Sequence, residues 1–131
     1  MNKLSILPAA LLAAACMGEV PPPTSPEGES MLAERLGNRT AGPPQSCIRS
    51  QHLGDAEWID PGVLLFEGRG GTLYVNRTQS PCPEKGPFAF LRTRSVGPNT
   101  CSGELIEIVE RDSNISRGTC ALGDFTPYRR R

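Results

Sequence analysis

His52 is the only histidine of the chain, so a side-chain base titrating near neutral pH would have to be built on it. No serine or cysteine beside it sits in a setting recognisable as an activated nucleophile, and a half-exposed position on a strand is the simpler account. Carboxylates gather in two places, Asp55, Glu57 and Asp60 in one and Glu104, Glu107 and Glu110 in the other. Either set could relay a proton or hold a cation. Alternating polar positions along the wet face of a strand explain both without any chemistry. Glu67-Gly68-Arg69-Gly70-Gly71 has the glycines of a phosphate loop but lacks the Lys-Ser/Thr pair and the helix such a loop requires, and it reads as a hairpin turn. Trp58 and the two tyrosines would suit a carbohydrate platform, although packing in or over a core is their expected role. Arg129, Arg130 and Arg131 form a basic cluster that could touch anionic lipid or a polyanionic wall polymer, and otherwise make a solvated tail.

The cysteines say more. Cys16 ends a short apolar run, whereas Cys47, Cys82, Cys101 and Cys120 follow one another at intervals of 35, 19 and 19 residues. Zinc sites and redox dithiols draw on close pairs such as C-x-x-C, so these four are read as two disulfides of an exported domain. No metal or other cofactor is expected. Four cysteines permit three pairings, and spacing does not choose among them. Topology leans to a nested arrangement, Cys47 with Cys120 and Cys82 with Cys101, ahead of the sequential one, Cys47 with Cys82 and Cys101 with Cys120.

The address is written at the start of the chain. Lys3 is followed by a largely apolar run over residues 4–15 and then by Cys16. That run falls short of the roughly 20 residues needed to span a bilayer and fits a secretory signal over residues 1–15. Cleavage before Cys16 would free its thiol for diacylation, and two acyl chains hold a protein stably on a membrane. Ala13 stands where a lipoprotein signal favours Leu, so ordinary cleavage after Ala13-Ala14-Ala15 is the alternative. Met17, rather than Asp, suits the outer membrane. Without Lys3 the chain keeps thirteen basic and fourteen acidic residues, a near balance that speaks against nucleic acid as a partner.

These residues need elements to position them. Residues 16–45 read as a flexible tether rich in Pro, Gly, Ser and Glu. Within it, residues 19–28 (EVPPPTSPEG) carry four prolines and are expected to be irregular. Ser30 is expected to cap a short helix bearing Leu32 and Leu36 and closed by Gly37. So short a helix is ordered only if those leucines dock on the domain. From Cys47 onward, short apolar runs alternate with turn residues, an all-β pattern. Strands are expected at 48–53, continued by 57–59, then at 63–67, 72–76, 88–93, 104–110 and 118–125, with Pro127 as the stop. Trp58, Phe66, Phe88, Phe90 and Phe125 are the candidate core aromatics. The expected fold is a small antiparallel sandwich or partly open barrel of about six strands over residues 46–128, ahead of a basic tail at 129–131. So small a domain buries a modest core, which disulfides supplement.

The chain resembles a family of small bacterial exported proteins, many with a lipoprotein-type signal, known only as a domain of unknown function. The resemblance lies in RTAGPPQSCI (39–48), GTLYVNR (71–77) with Cys82 five residues on, the run from Cys101 through Gly103 and Glu104, and GTCALGDFTPY (118–128). It implies a four-cysteine framework and transfers no catalytic or binding residue. Glu104 stands where relatives often carry Asp, and Thr100 where they often carry Leu. The sequons at Asn38, Asn76 and Asn114 would matter only in a eukaryotic host, which the lipoprotein-like start argues against.

Taken together, the expectation is a membrane-tethered cell-envelope lipoprotein on the periplasmic side. It would be anchored in the outer membrane through Cys16 and act as a monomeric binding or structural accessory module toward an envelope protein or polymer. An exposed sheet edge would suit such binding. The alternatives are a hydrolase-like enzyme using His52 and a carboxylate, and a soluble periplasmic inhibitor.

Overall fold

A computed structural model describes residues 24–130 apart from 84, 85, 87 and 96. The expected signal, Cys16 with the first part of the tether, and Arg131 lie outside the described residues. The described residues form a helix, α1 (Pro26–Leu36), and ten strands: β1 (Thr40–Ala41), β2 (Cys47–Arg49), β3 (Ala56–Asp60), β4 (Val63–Glu67), β5 (Leu73–Arg77), β6 (Ala89–Thr93), β7 (Asn99–Cys101), β8 (Leu105–Glu110), β9 (Ser116–Ala121) and β10 (Phe125–Arg129). They make three antiparallel sheets, ordered β1-β10-β5-β4-β3, β6-β8-β9 and β2-β7. The all-β expectation holds, with more strands than the six expected because several are only two or three residues long.

The core follows from β4. Val63, Leu64, Leu65 and Phe66 are all at most 1% exposed, although successive strand residues point to opposite faces. Such a strand must be covered on both sides. Leu64 and Phe66 join Ile48, Tyr74, Ile106, Leu122 and Phe125 between the large sheet and the two smaller ones. Phe125 stands edge-on to both Phe66 and Tyr74, at centroid distances of 5.4 and 6.3 Å. Val63 and Leu65 join Ile59, Leu73 and Val75 on the other face, where Leu32 of α1 covers them, with Leu36 and Tyr128 packed alongside.

The helix is therefore a layer of the fold, and it starts earlier than expected. Ser25, not Ser30, is its N-cap: the Ser25 hydroxyl accepts the Gly28 amide at 3.0 Å, and Pro26 sits in the first turn, where proline costs no hydrogen bond. Residues 26–28 are helical rather than irregular. The Ser25 amide donates to Asp60 at 2.6 Å. A Cβ on Gly28 would come within 2.6 Å of the same carboxylate, so only glycine lets α1 lie this close to β3. Arg35 reaches Glu57 at 2.9 Å from the same helix. The domain consequently begins before residue 46: α1 is docked, and β1 pairs with β10.

Other boundaries shift for local reasons. The expected strand 48–53 with its continuation at 57–59 is two strands in different sheets, parted by a 3-10 turn (Ser50–His52). The expected last strand at 118–125 is likewise two, β9 and β10. Pro127 does not stop β10. Phe125 exchanges backbone hydrogen bonds with Gln45, and the Pro127 carbonyl accepts from Gly42, so the missing donor of Pro127 falls on the side of short β1 and spares the ladder to β5. The hairpin across 63–76 stands as expected, with Leu64 opposite Asn76 and Phe66 opposite Tyr74. Of the candidate core aromatics, Phe66 and Phe125 are buried, Trp58 and Phe90 are half-buried, and Phe88 is 66% exposed.

The disulfides are Cys47–Cys101 and Cys82–Cys120, so the nested pairing favoured from topology is wrong and the two loops interleave. Cys47 and Cys101 face one another in the β2–β7 ladder; the short strand Asn-Thr-Cys that brings Cys101 there carries no strand signature. Cys82 ties the segment after β5 to β9. Loops of 54 and 38 residues correspond to about 4 kcal/mol each in the chain-entropy model.

Where β9 turns into β10, the fully buried Asn76 donates to the Gly123 carbonyl and accepts its amide, both at 2.8 Å. A Cβ on Gly123 would lie 2.0 Å from the Arg77 carbonyl oxygen. Replacing Asn76 with alanine strands two buried backbone groups and should cost about 2–4 kcal/mol, and Gly123→Ala, which must push backbone aside, should cost at least as much. Leu32→Ala should lose about 3 kcal/mol as a buried leucine, whereas a helix lying outside the fold would lose nearly nothing. Urea unfolding of the disulfide-bonded protein measures all three.

Candidate functional site

The residues singled out for chemistry do not converge. His52 lies half-buried in the 3-10 turn after β2, and among the described residues no carboxylate is bonded to it. Glu57 pairs with Arg35, and Asp60 holds the Ser25 amide. Glu104 accepts the Cys101 amide, and Glu110 pairs with Arg117 at 2.8 Å. These carboxylates are framework contacts. Among the described residues no group of three or more His, Cys, Asp or Glu side chains could hold a metal ion. Tyr74 belongs to the core between the sheets and Tyr128 to the helix-covered face, so Trp58 and the tyrosines form no common platform. Of the three sequon asparagines, Asn76 is buried and bonded, while Asn38 and Asn114 are exposed.

Glu107 is the most strongly perturbed group. It projects from the outer face of β8 opposite Arg92 of β6, and one carboxylate oxygen accepts from both Arg92 and Arg94 at 2.9 Å. The Arg92 hydrogen bond, then that of Ser116, hold its pKa down from the ordinary 4.5 to about 2; partial burial opposes them and Arg94 adds to them. The carboxylate is 6% exposed under two half-exposed arginines, a pairing that braces the outer face of the small sheet.

What remains open is the place where the two larger sheets fail to meet. Strand β3 ends the large sheet and β6 ends the three-stranded one, and a groove runs between them. One part, of about 270 Å³, is lined by Gly54, Asp55, Ala56, Phe66, Leu91 and Thr93, among others. A second, of about 340 Å³, adds Arg111 and shares Asp55, Ala56, Phe90 and Leu91. Among the described residues no backbone hydrogen bond crosses from β3 to β6. The side chains of Asp55 and Arg111 line the same groove with no partner among the described residues. Comparison with protein-family models, curated proteins and solved structures gives no match. The groove must therefore speak for itself.

Of the earlier candidates only Asp55 lies in it; His52 does not line it. Leu91, Arg92 and Arg111, which do, were not singled out in the sequence, and Phe90 was read there only as a core aromatic, because what brings them together is the gap between two sheet edges.

Glu107 also makes a measurable signature. Because its folded pKa lies below its unfolded one, its contribution to stability is full above about pH 4.5 and is lost as pH falls toward 2. Glu107→Gln should melt below the parent protein at pH 6, and the two should converge near pH 2, as followed by thermal unfolding at fixed ionic strength.

Proposed function

We propose that this chain is a membrane-tethered, cell-envelope module that works by binding, kin to the small exported lipoprotein-like proteins it resembles, and that the groove between β3 and β6 is its binding surface. The groove carries the reading. It is where the half-buried Phe90 and Leu91 lie beside the unpaired side chains of Asp55 and Arg111, a concavity on which a few charged groups converge. Two disulfides suit an oxidising compartment outside the cytoplasm. Among the described residues no helix is long and apolar enough to cross a membrane. In this reading the attachment is acylation of Cys16. The envelope partner is a protein or polymer, met from the periplasmic side of the outer membrane by a monomer.

The enzyme reading needs His52 and a carboxylate in one pocket, and the groove holds Asp55 without His52. The soluble-inhibitor reading differs in the state of Cys16 alone. Intact mass of the protein from its native membrane fraction, alkylated without reduction, decides. A mass beginning at acylated Cys16 and free of alkyl adducts is expected. An unacylated protein in the soluble fraction would remove the anchor and leave the inhibitor.

A further inference from the structure

The two disulfides sit in very different surroundings. Cys82 and Cys120 are 2% and 1% exposed and lie in the core with Leu64, Phe66, Ile106 and Leu122. Cys47 and Cys101 face one another across the β2–β7 ladder. Successive strand residues point to opposite faces. Ile48 and Thr100, the next pair along this ladder, are buried, so Cys47 and Cys101 take the outward face. Cys47 is accordingly exposed and Cys101 half-buried. Two cysteines separated by 54 residues in sequence thus form a close pair at the surface, which is the arrangement that spacing alone had spoken against.

The ribbon that carries this pair is held by other contacts as well. The Ser102 amide donates to the Ser46 carbonyl at 2.7 Å, and the Ser50 amide to the Pro98 carbonyl at 2.8 Å. On its inner face the Thr100 hydroxyl is bonded to those of Ser50 and Ser95, at 2.8 and 2.9 Å. Opening the Cys47–Cys101 bond leaves these contacts in place and keeps the two thiols opposite one another. The buried disulfide has no such freedom. The Cys82 amide is bonded to the Pro61 carbonyl, and its sulfur meets an external thiol only when the core opens. Arg49, two residues on along the outward face of β2, and Glu104, whose carboxylate accepts the Cys101 amide, bring charges of opposite sign to the exposed pair. Access rather than charge therefore separates the two disulfides.

We infer that Cys47–Cys101 is a thiol–disulfide exchange site, and that its partner is a protein dithiol of the C-x-x-C type. This goes beyond the binding reading and needs neither the groove nor the anchor. A thiolate of the partner bonds to Cys47 Sγ, the more exposed sulfur, and the S–S electron pair leaves on Cys101 Sγ, which takes up a proton. The mixed disulfide then has two fates. Attack by Cys101, held opposite on β7, restores the original bond and expels the incoming thiol. Attack by a second thiol of the partner closes the partner's own disulfide and leaves Cys47 and Cys101 as thiols. Two electrons and two protons have then passed from the partner to this chain. A monothiol is returned and a dithiol is consumed, so the geometry selects partners with two neighbouring thiols.

The test uses the oxidised full chain with Cys16→Ser, so that no fifth cysteine competes. The probes are dithiothreitol, reduced thioredoxin as a C-x-x-C protein, and the same thioredoxin with its second active-site cysteine replaced by serine. Free thiols are blocked with a maleimide at timed intervals without denaturant, and the labelled cysteines are located by peptide mass. With dithiothreitol and with thioredoxin, Cys47 and Cys101 should be labelled at least about a hundredfold faster than Cys82 and Cys120, because the buried pair opens only with the fold. The serine variant of thioredoxin should leave both disulfides closed at the same concentration. Side-chain amide signals of Asn76 in the 15N-labelled protein should stay in place while the first pair opens. Equal labelling of all four cysteines, labelling of none until urea is added, equal action of the two thioredoxins, or loss of the Asn76 signals as the first pair opens would each overturn the inference.

Discussion

Four consecutive residues, Val63 to Phe66, are buried on alternating faces of one strand, and the rest of the molecule is arranged to keep both faces dry. A sheet of five strands cannot do this by itself. The outer face is covered by eleven residues of helix and the inner face by strands from the second half of the chain. Each cover is then fastened at the rim by polar contacts rather than by more apolar surface. Asp60 holds the start of α1, Arg35 and Glu57 hold its side, and Asn76 holds the corner where the chain passes from the small sheet back into the large one. With a core of this size the fastening matters, since a small domain has little apolar area in reserve.

The two larger sheets are joined at one corner and apart at the other. At the closed corner β9 leads through Gly123 into β10, and the segment after β5 lies along the β9 edge under a disulfide. At the open corner β3 and β6 approach without bonding. The contrast has a covalent origin: both disulfides act at the closed side or at its margin, and none spans the groove.

The large features were legible in the sequence where a local pattern and the tertiary demand agreed. The hairpin across 63–76 was readable because an apolar run, a glycine turn and an alternating strand follow one another. The dependence of the helix on Leu32 and Leu36 was readable too, but its start was not: Pro26 looked like an interruption, whereas after the capping Ser25 it is an initiator. Pro127 misled in the same way, since its effect depends on which side of β10 its nitrogen faces. The disulfide pairing was out of reach because Cys101 arrives on a strand that only β2 makes into a strand. The groove was hardest of all, for an unpaired edge is a property of what two sheets leave uncovered and belongs to no stretch of residues.

The interleaving of the two disulfides has a consequence for survival under proteolysis. A single peptide-bond scission anywhere between Cys47 and Cys120 leaves two fragments that at least one disulfide still joins, and a scission between Cys82 and Cys101 leaves them joined by both. In the sequential pairing, the same mid-chain scission would have separated the halves. Degradation of this domain must therefore proceed by repeated attack or await reduction, so its lifetime among proteases is set by redox state as much as by exposed loops.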